Sequence, residues 1–389
     1  MINLSNTEVA FQDKSNRELR RAQLLFKLIS SPFLVKVGAS LTRFSLKIGL
    51  PISWFLKPTI FNHFCGGISI NDCNDTIAKL GESNIKTILD YSAEGKETDA
   101  DFDYTRDQII ETIKKASKDV NIPYAVFKPT GVGRFGLFEK VQAKKDLSEA
   151  EQVEFEKVKA RFSLICQTGA KLDVPVMIDA EETWIQQIVD EIVEDLIFEH
   201  NKNKPLIYGT LQMYRHDRLD YLKDLVSRAK KMNVKAAVKL VRGAYMEKER
   251  ERAFKLGYPS PIYPDKPATD SAYDQAVKFC IENVEDVAVC IGTHNEKSSL
   301  MGAELITKLG VNPGNPNVSF SQLLGMSDNI SYNLAAAGFN VTKYVPYGPV
   351  KTVVPYLIRR AEENTSVAGQ TSRELSLLKT ELNRRNSLK

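Results

Sequence analysis

The sequence is poor in the residues that build stapled or metal-held folds. Its 389 residues include five cysteines, at 65, 73, 166, 280 and 290, and no CxxC pair. An odd count without paired spacing implies neither a disulfide framework nor a zinc site, and a reducing compartment fits best. Four histidines, His63, His200, His216 and His294, are scattered and form no HExxH, so no histidine-rich metal centre is expected. Excess charge is scarce too. Lys plus Arg is 53 and Asp plus Glu is 49, a net +4, too small a surplus for a dedicated nucleic-acid binder. Apolar runs are interrupted before they reach the ~18 residues of a membrane-spanning helix. Residues 1–19 carry Glu8, Asp13 and Glu18. Those acids argue against a secretory signal and a transit peptide, so the chain reads as mature or bacterial.

What is present is ordinary globular composition, 43% hydrophobic and 26% charged, which excludes a mainly disordered or collagen-like chain. The length admits two or three domains of roughly 150 residues, or a barrel of about 250 residues as one unit. Residues 16–62 stand apart. Apolar residues recur there at helical spacing among Arg20, Arg21, Lys27, Lys36, Arg43, Lys47 and Lys57, and no acid occurs between Glu18 and Asp72. Two readings are open: a helical arm covering a core, or an amphipathic basic surface against an anionic membrane.

From about residue 84 the pattern changes. Eight short apolar, β-rich runs appear: IKTILDYS, YAVFKPT, VPVMIDA, PLIYGTL, AAVKLVRG, VAVCIGT, VSFSQLL and VTKYVPY. Stretches of helical period lie between them, such as TWIQQIVDEIVEDLIFEH. Runs apolar on both faces that alternate with helices indicate parallel strands covered by helices. Eight such repeats predict an α/β fold, a (β/α)8 TIM-like barrel, in preference to a doubly wound open sheet. The expected organisation is an N-terminal helical arm over 1–83, the barrel with its eighth helix over 84–368, and a helical tail over 369–389.

A barrel concentrates chemistry at the carboxyl ends of its strands. Those positions hold Asp90, Glu94, Lys128, Asp179 with Glu181 and Glu182, Gln212, Lys239 with Arg242, His294 with Asn295, Gln322 and Tyr344. Polar groups at an apolar mouth need a partner or a ligand. Lys128 either snorkels outward or lies inside, where it could form a Schiff base or bind a carboxylate. Glu181 and Glu182 suit the first turn of a helix; Asp179 is not explained that way and could balance Lys128. Gly243, after Lys239 and Arg242, would let a bulky ligand approach the backbone. GVGRFG at 131–136 matches GxGxxG, but the acid expected about 20 residues on is missing, so it reads as a loop from which Arg134 could reach the site. In YLIRRAEEN, Tyr356, Arg359, Arg360 and Glu363 share one helix face. That face is either solvated or, at a barrel mouth, a carboxylate clamp.

Together these segments resemble the proline dehydrogenase family from about residue 84 to the C-terminus. The resemblance is carried by YAVFKPT, MIDAEE, GTLQMY, KLVRGAY, ATD at 268–270, GTHN, FSQLLGM, KYVPYGPV and PYLIRRAEEN, nine motifs in order. KLVRGAY and KYVPYGPV are closest to the monofunctional, animal-type branch. The resemblance implies a distorted barrel with non-covalent FAD at the strand ends. It implies oxidation of L-proline to Δ1-pyrroline-5-carboxylate, with electrons passing to a membrane quinone. By position, Lys128, Arg359 and Arg360 would hold the proline carboxylate, and Leu323, Tyr344 and Tyr356 would wall the ring. Asp179 would hydrogen-bond Tyr344. Ala180, Gln212, Arg242, Gly243, Ala244, Thr293 and His294 would contact FAD together with Asp179. Lys239 falls near the flavin N5 edge, where many bacterial members carry arginine. Asp179 and Lys239 are the catalytic candidates, and no metal is implied.

Three further readings stay open: a hydroxyproline dehydrogenase of the same family, a barrel lyase using Lys128, and a non-catalytic membrane-associated protein. The expected location is cytoplasmic, with peripheral contact through residues 16–62 at the inner membrane face, or on the matrix side in a eukaryote.

Overall fold

Each of the eight β-rich runs forms one strand in the computed structural model, which describes residues 2–48, 56–92, 96–366 and 370–388. The strands are β1 (Ile85–Tyr91), β2 (Tyr124–Phe127), β3 (Val176–Ile178), β4 (Ile207–Gln212), β5 (Ala236–Val241), β6 (Val287–Gly292), β7 (Val318–Leu323) and β8 (Val341–Tyr347). All pair in parallel and in chain order, and β8 closes the barrel on β1 with Tyr344 opposite Ile88. Strands β2, β3 and β8 are buried at every position. That is the signature of a sheet filled on one face and covered by helices on the other.

The α-helices of four or more residues, in chain order, are α1 (Thr7–Ala10), α2 (Asn16–Ile29), α3 (Pro32–Lys47), α4 (Asn74–Gly81), α5 (Asp99–Ala116), α6 (Phe135–Gln142), α7 (Glu149–Leu172), α8 (Thr183–His200), α9 (Arg218–Lys231), α10 (Met246–Leu256), α11 (Lys266–Glu282), α12 (Glu296–Lys308), α13 (Asp328–Ala336), α14 (Val350–Ser366) and α15 (Gln370–Ser387). Local sequence fixes several starts. Ser148 and Glu151 form a capping box on α7, and Asn295 accepts from the backbone N–H groups of Lys297 and Ser298 to cap α12.

Three apolar clusters follow from this arrangement. The largest lies between strands and helices. A second fills the barrel with Ile88, Tyr124, Val126, Met177, Tyr208, Ala237, Ala288, Cys290 and Tyr344. The third lies outside the barrel, where α2 and α3 meet α14 and α15. There the arm covers a core, as one of the two sequence readings expects. Residues 49–55 of the arm lie outside the described residues.

Candidate active site

Strand periodicity raises a charged set above the barrel filling. Ile88, Val126, Met177 and Ala237 face the barrel interior. Side chains alternate with period two, so Asp90, Lys128, Asp179 and Lys239, each two residues further on, occupy the next layer at the carboxyl end. They meet there as two carboxylates and two ammoniums. Lys128 Nζ lies 2.9 Å from Asp90 and 3.9 Å from Asp179. Lys239 is paired with the other Asp179 oxygen. Tyr344, inward from β8, donates its hydroxyl to Asp179 at 2.9 Å. Its ring lies 5.9 Å from the Lys128 ammonium and 5.3 Å from that of Lys239. Lys128 therefore does not snorkel outward.

Burial raises the Asp179 carboxyl's proton affinity, but Lys239 and Lys128 outweigh it and hold the group below the ordinary carboxylate range. Asp179 is the node of this layer: it neutralises Lys239 and fixes the Tyr344 phenol. Asp90 accepts from Lys128 and from the Ser92 hydroxyl through Oδ2, while its Oδ1 is buried without a hydrogen-bond partner among the described residues.

A second cluster lies at the ends of β5 and β6. Arg242 donates to Thr293 Oγ1 at 2.6 Å, to Ser298 Oγ at 2.8 Å and to Asp270 at 2.6 Å, and it stacks on Tyr273 at 4.2 Å. Gln212 donates to the Glu181 carbonyl at 2.5 Å. His294 Nδ1 lies 2.9 Å from Ser327 Oγ. Burial, then the nearby Lys343, Arg360 and Arg242 cations, push this imidazole down to about 3, so it is neutral at physiological pH. Ala180 and Ala244 flank the two clusters, the first half-buried and the second exposed.

Helix α14 contributes Tyr356, Arg359 and Arg360. Tyr356 and Arg360 are buried, with the guanidinium 5.1 Å from the phenol ring. Arg359 lines a cleft of about 630 Å³ with Thr130, Glu181, Trp184 and Arg252. Leu323, at the end of β7, packs against both the barrel filling and the cluster beneath the arm. The Glu363 side chain and Glu94 lie outside the described residues.

Several expectations are corrected. Glu181 and Glu182 make no side-chain cap on α8. The Glu181 carboxylate instead accepts from the Thr130 N–H and hydroxyl, Glu182 pairs with Lys248, and the α8 start is held by Glu249 on Thr183. Gln322 points away from the barrel interior, because neighbouring Leu323 faces inward; it bonds Ser331 and the Thr293 carbonyl. Arg134 is held by Glu154 at 2.7 Å. Gly133 is explained by packing, since a Cβ there would sit 2.8 Å from Val158. Gly243 has φ +127°, and a Cβ would sit 2.5 Å from the Tyr214 ring. The glycine is thus required by a protein neighbour, whatever ligand approaches it. Sequence reasoning missed Asp270, Ser298, Ser327 and Glu374. Asp270 lies within a quoted motif; the others become visible only through contacts across the fold.

The donor set suits an anionic, hydrogen-bonding cofactor. Lys239, Arg242 and neutral His294 offer cations and a ring nitrogen, and Gln212 and Thr293 offer neutral polar groups. The Thr210 hydroxyl, two residues before Gln212 on β4, is buried without a hydrogen-bond partner among the described residues. These residues fit the polar edges and phosphates of FAD.

Comparison with known proteins gives consistent matches. A family profile described as proline dehydrogenase matches residues 73–373. The Dictyostelium discoideum protein named proline dehydrogenase 1, mitochondrial, is 31% identical over 98% of this chain and 74% of its own length. Proline dehydrogenase 2, mitochondrial, of Arabidopsis thaliana is 33% identical over 85% of this chain and 78% of its own length. The human proline dehydrogenase 1, mitochondrial, is 34% identical over 80% of this chain and 48% of its own length. Among solved structures, proline utilization A from Bdellovibrio bacteriovorus superposes with a TM-score of 0.74 at 20% identity. The match covers 96% of this chain and 40% of that one, a likeness of fold.

Proposed function

This chain belongs to the proline dehydrogenase family, and from that premise we propose that it oxidises L-proline to Δ1-pyrroline-5-carboxylate with FAD, passing the electrons to a membrane quinone. The observation that carries the reading is the convergence of Lys128, Asp179, Lys239 and Tyr344 at one barrel mouth. Lys128, Arg359 and Arg360 bind the substrate carboxylate. Three cations around one anion select an amino acid over a plain amine. Tyr344, Tyr356 and Leu323 wall the ring. The Asp179 carboxylate holds the Tyr344 hydroxyl and balances Lys239. Gln212, Arg242, Gly243, Ala244, Thr293 and His294 hold the cofactor, with Ala180 and Asp179 beside it. Bound flavin would supply the two-electron chemistry by accepting a hydride from the ring carbon next to nitrogen.

Lys239 presents its ammonium to the reacting region. Proline bound as the neutral amine needs no strong protein base. Neutral His294 is therefore assigned to binding.

Two alternatives are less well supported. Lys128 sits in an ion pair with Asp90, which favours an ammonium over the free amine that a Schiff-base lyase needs. A relative named hydroxyproline dehydrogenase, from Xenopus laevis, is 29% identical over 96% of this chain. Here the pinned Tyr344 phenol would crowd a 4-hydroxyl. The reading includes peripheral membrane contact through residues 16–62. Relatives named mitochondrial support a mitochondrial location in a eukaryote, and within it we propose the matrix side of the inner membrane.

The test is the visible spectrum of purified protein. Flavin bands that bleach with L-proline, and much less with 4-hydroxy-L-proline, are expected. A colourless protein trapped by borohydride on a carbonyl substrate would overturn the proposal.

A further inference from the structure

The outer side of the arm differs from its inner side. Helix α2 buries Leu19, Ala22, Phe26 and Ile29, and α3 buries Val35 and Ala39. Their opposite faces expose large apolar side chains: Leu24 is 59% exposed, Phe33 73%, Leu41 60%, Phe44 60% and Ile48 53%. Eight of the nineteen exposed large hydrophobic residues among those described fall between 24 and 48. Apolar exposure this concentrated marks an interaction surface. Exposed Arg20, Arg21, Lys27 and Lys36 accompany it, and the sequence has no acid between Glu18 and Asp72.

We infer that the exposed face of the α2–α3 elbow docks on an anionic lipid bilayer. This rests on the reading of residues 16–62 as a membrane contact and narrows it to one face. Charge selects the occupant. A second copy meeting this patch symmetrically would bring two sets of cations together with no acid between them. An anionic lipid surface offers apolar depth and opposite charge at once. The mode is interfacial. The two helices meet at a 91° bend, and each commits its other face to α14 or α15. Helix α3 packs directly on α14, which carries Arg359 and Arg360. Docking therefore sets the substrate-binding helix one layer from the bilayer, where a lipid-soluble acceptor is concentrated.

The experiment is cosedimentation of the full-length flavin-loaded protein with phosphatidylcholine vesicles, with and without about 30% phosphatidylglycerol. Binding to the anionic vesicles is expected. Phe33→Glu/Leu41→Glu/Phe44→Glu and, separately, Lys27→Glu/Lys36→Glu should each lower it by about tenfold or more. Both variants should keep the wild-type melting temperature and proline-dependent reduction of a soluble dye. Equal binding to neutral vesicles, or binding unchanged in either variant, overturns the inference. So does light scattering that shows a dimer which the apolar variant dissociates and no vesicle binding. If only deletion of residues outside 24–48 abolishes binding, the broader membrane reading stands and the elbow inference falls. If vesicles bind but proline does not bleach the flavin, the catalytic reading falls and the docking surface stands.

Discussion

Replacing Asp179 by alanine tests the organisation of the site most directly. The side chains of Asp179, Lys239 and Lys128 are 15%, 7% and 11% exposed. Removing the carboxylate leaves Lys239 without the acid it is paired to, while Lys128 keeps Asp90 at 2.9 Å. It also removes the acceptor of the Tyr344 hydroxyl. Breaking a buried pair by deleting one partner costs about 3–5 kcal/mol, because the surviving charge stays desolvated. Urea unfolding of the apoprotein should show a loss of that size. Asp179→Asn retains an acceptor for Tyr344 but no charge, so it should recover only the hydrogen-bond part, about 1 kcal/mol. The pH dependence has a definite sign. The native carboxyl is held below its ordinary range, so its contribution is complete above the unfolded value and lost only as pH falls through the native one. The gap between wild type and variant should therefore be flat between about pH 5 and pH 8 and narrow in stronger acid. An Asp179→Ala protein within about 1 kcal/mol of wild type over that range would refute the idea that Asp179 neutralises a buried lysine.

Three other changes probe separate parts of the molecule. Gly243→Ala should destabilise the protein by at least about 2 kcal/mol in the same urea assay, from the positive φ and the Tyr214 ring together. Arg359→Met or Arg360→Met should raise the KM for proline, equivalent to about 2–5 kcal/mol of lost binding, while the flavin spectrum persists; unchanged KM in both would remove the clamp. Glu374 on α15 accepts from the Ser327 N–H at 2.6 Å, and burial, then Asp328, push its carboxyl up to about 7. A raised acid costs native stability as pH climbs from the unfolded value toward the native one. Glu374→Gln should match wild type below about pH 4.5 and exceed it above about pH 7 by on the order of 3 kcal/mol, read from urea midpoints across that range.

The strands were legible because their signal is local. A strand buried on both faces must be apolar along its length, and eight such runs between helical stretches leave few architectures. The inward charged layer was partly legible for the same reason. Asp90, Lys128, Asp179 and Lys239 each follow an interior residue by two positions. Where the turn after the strand intervenes, that logic weakens. Glu181 and Glu182 have the composition of a helix start, yet their carboxylates are taken by Thr130 and Lys248 from other segments.

Glu374 carried no sequence signal. Its carboxylate stabilises Ser327, a residue with φ +51° whose hydroxyl meets His294, and those three positions are joined only because α15 meets the segment between β7 and α13. Sequence alone thus determined the barrel, the candidate mouth residues and the basic apolar character of the arm, because each is written in neighbouring residues. Tertiary structure alone decided which acid neutralises which cation and which face of the arm is left to solvent, because Coulomb energy and burial depend on distance in space.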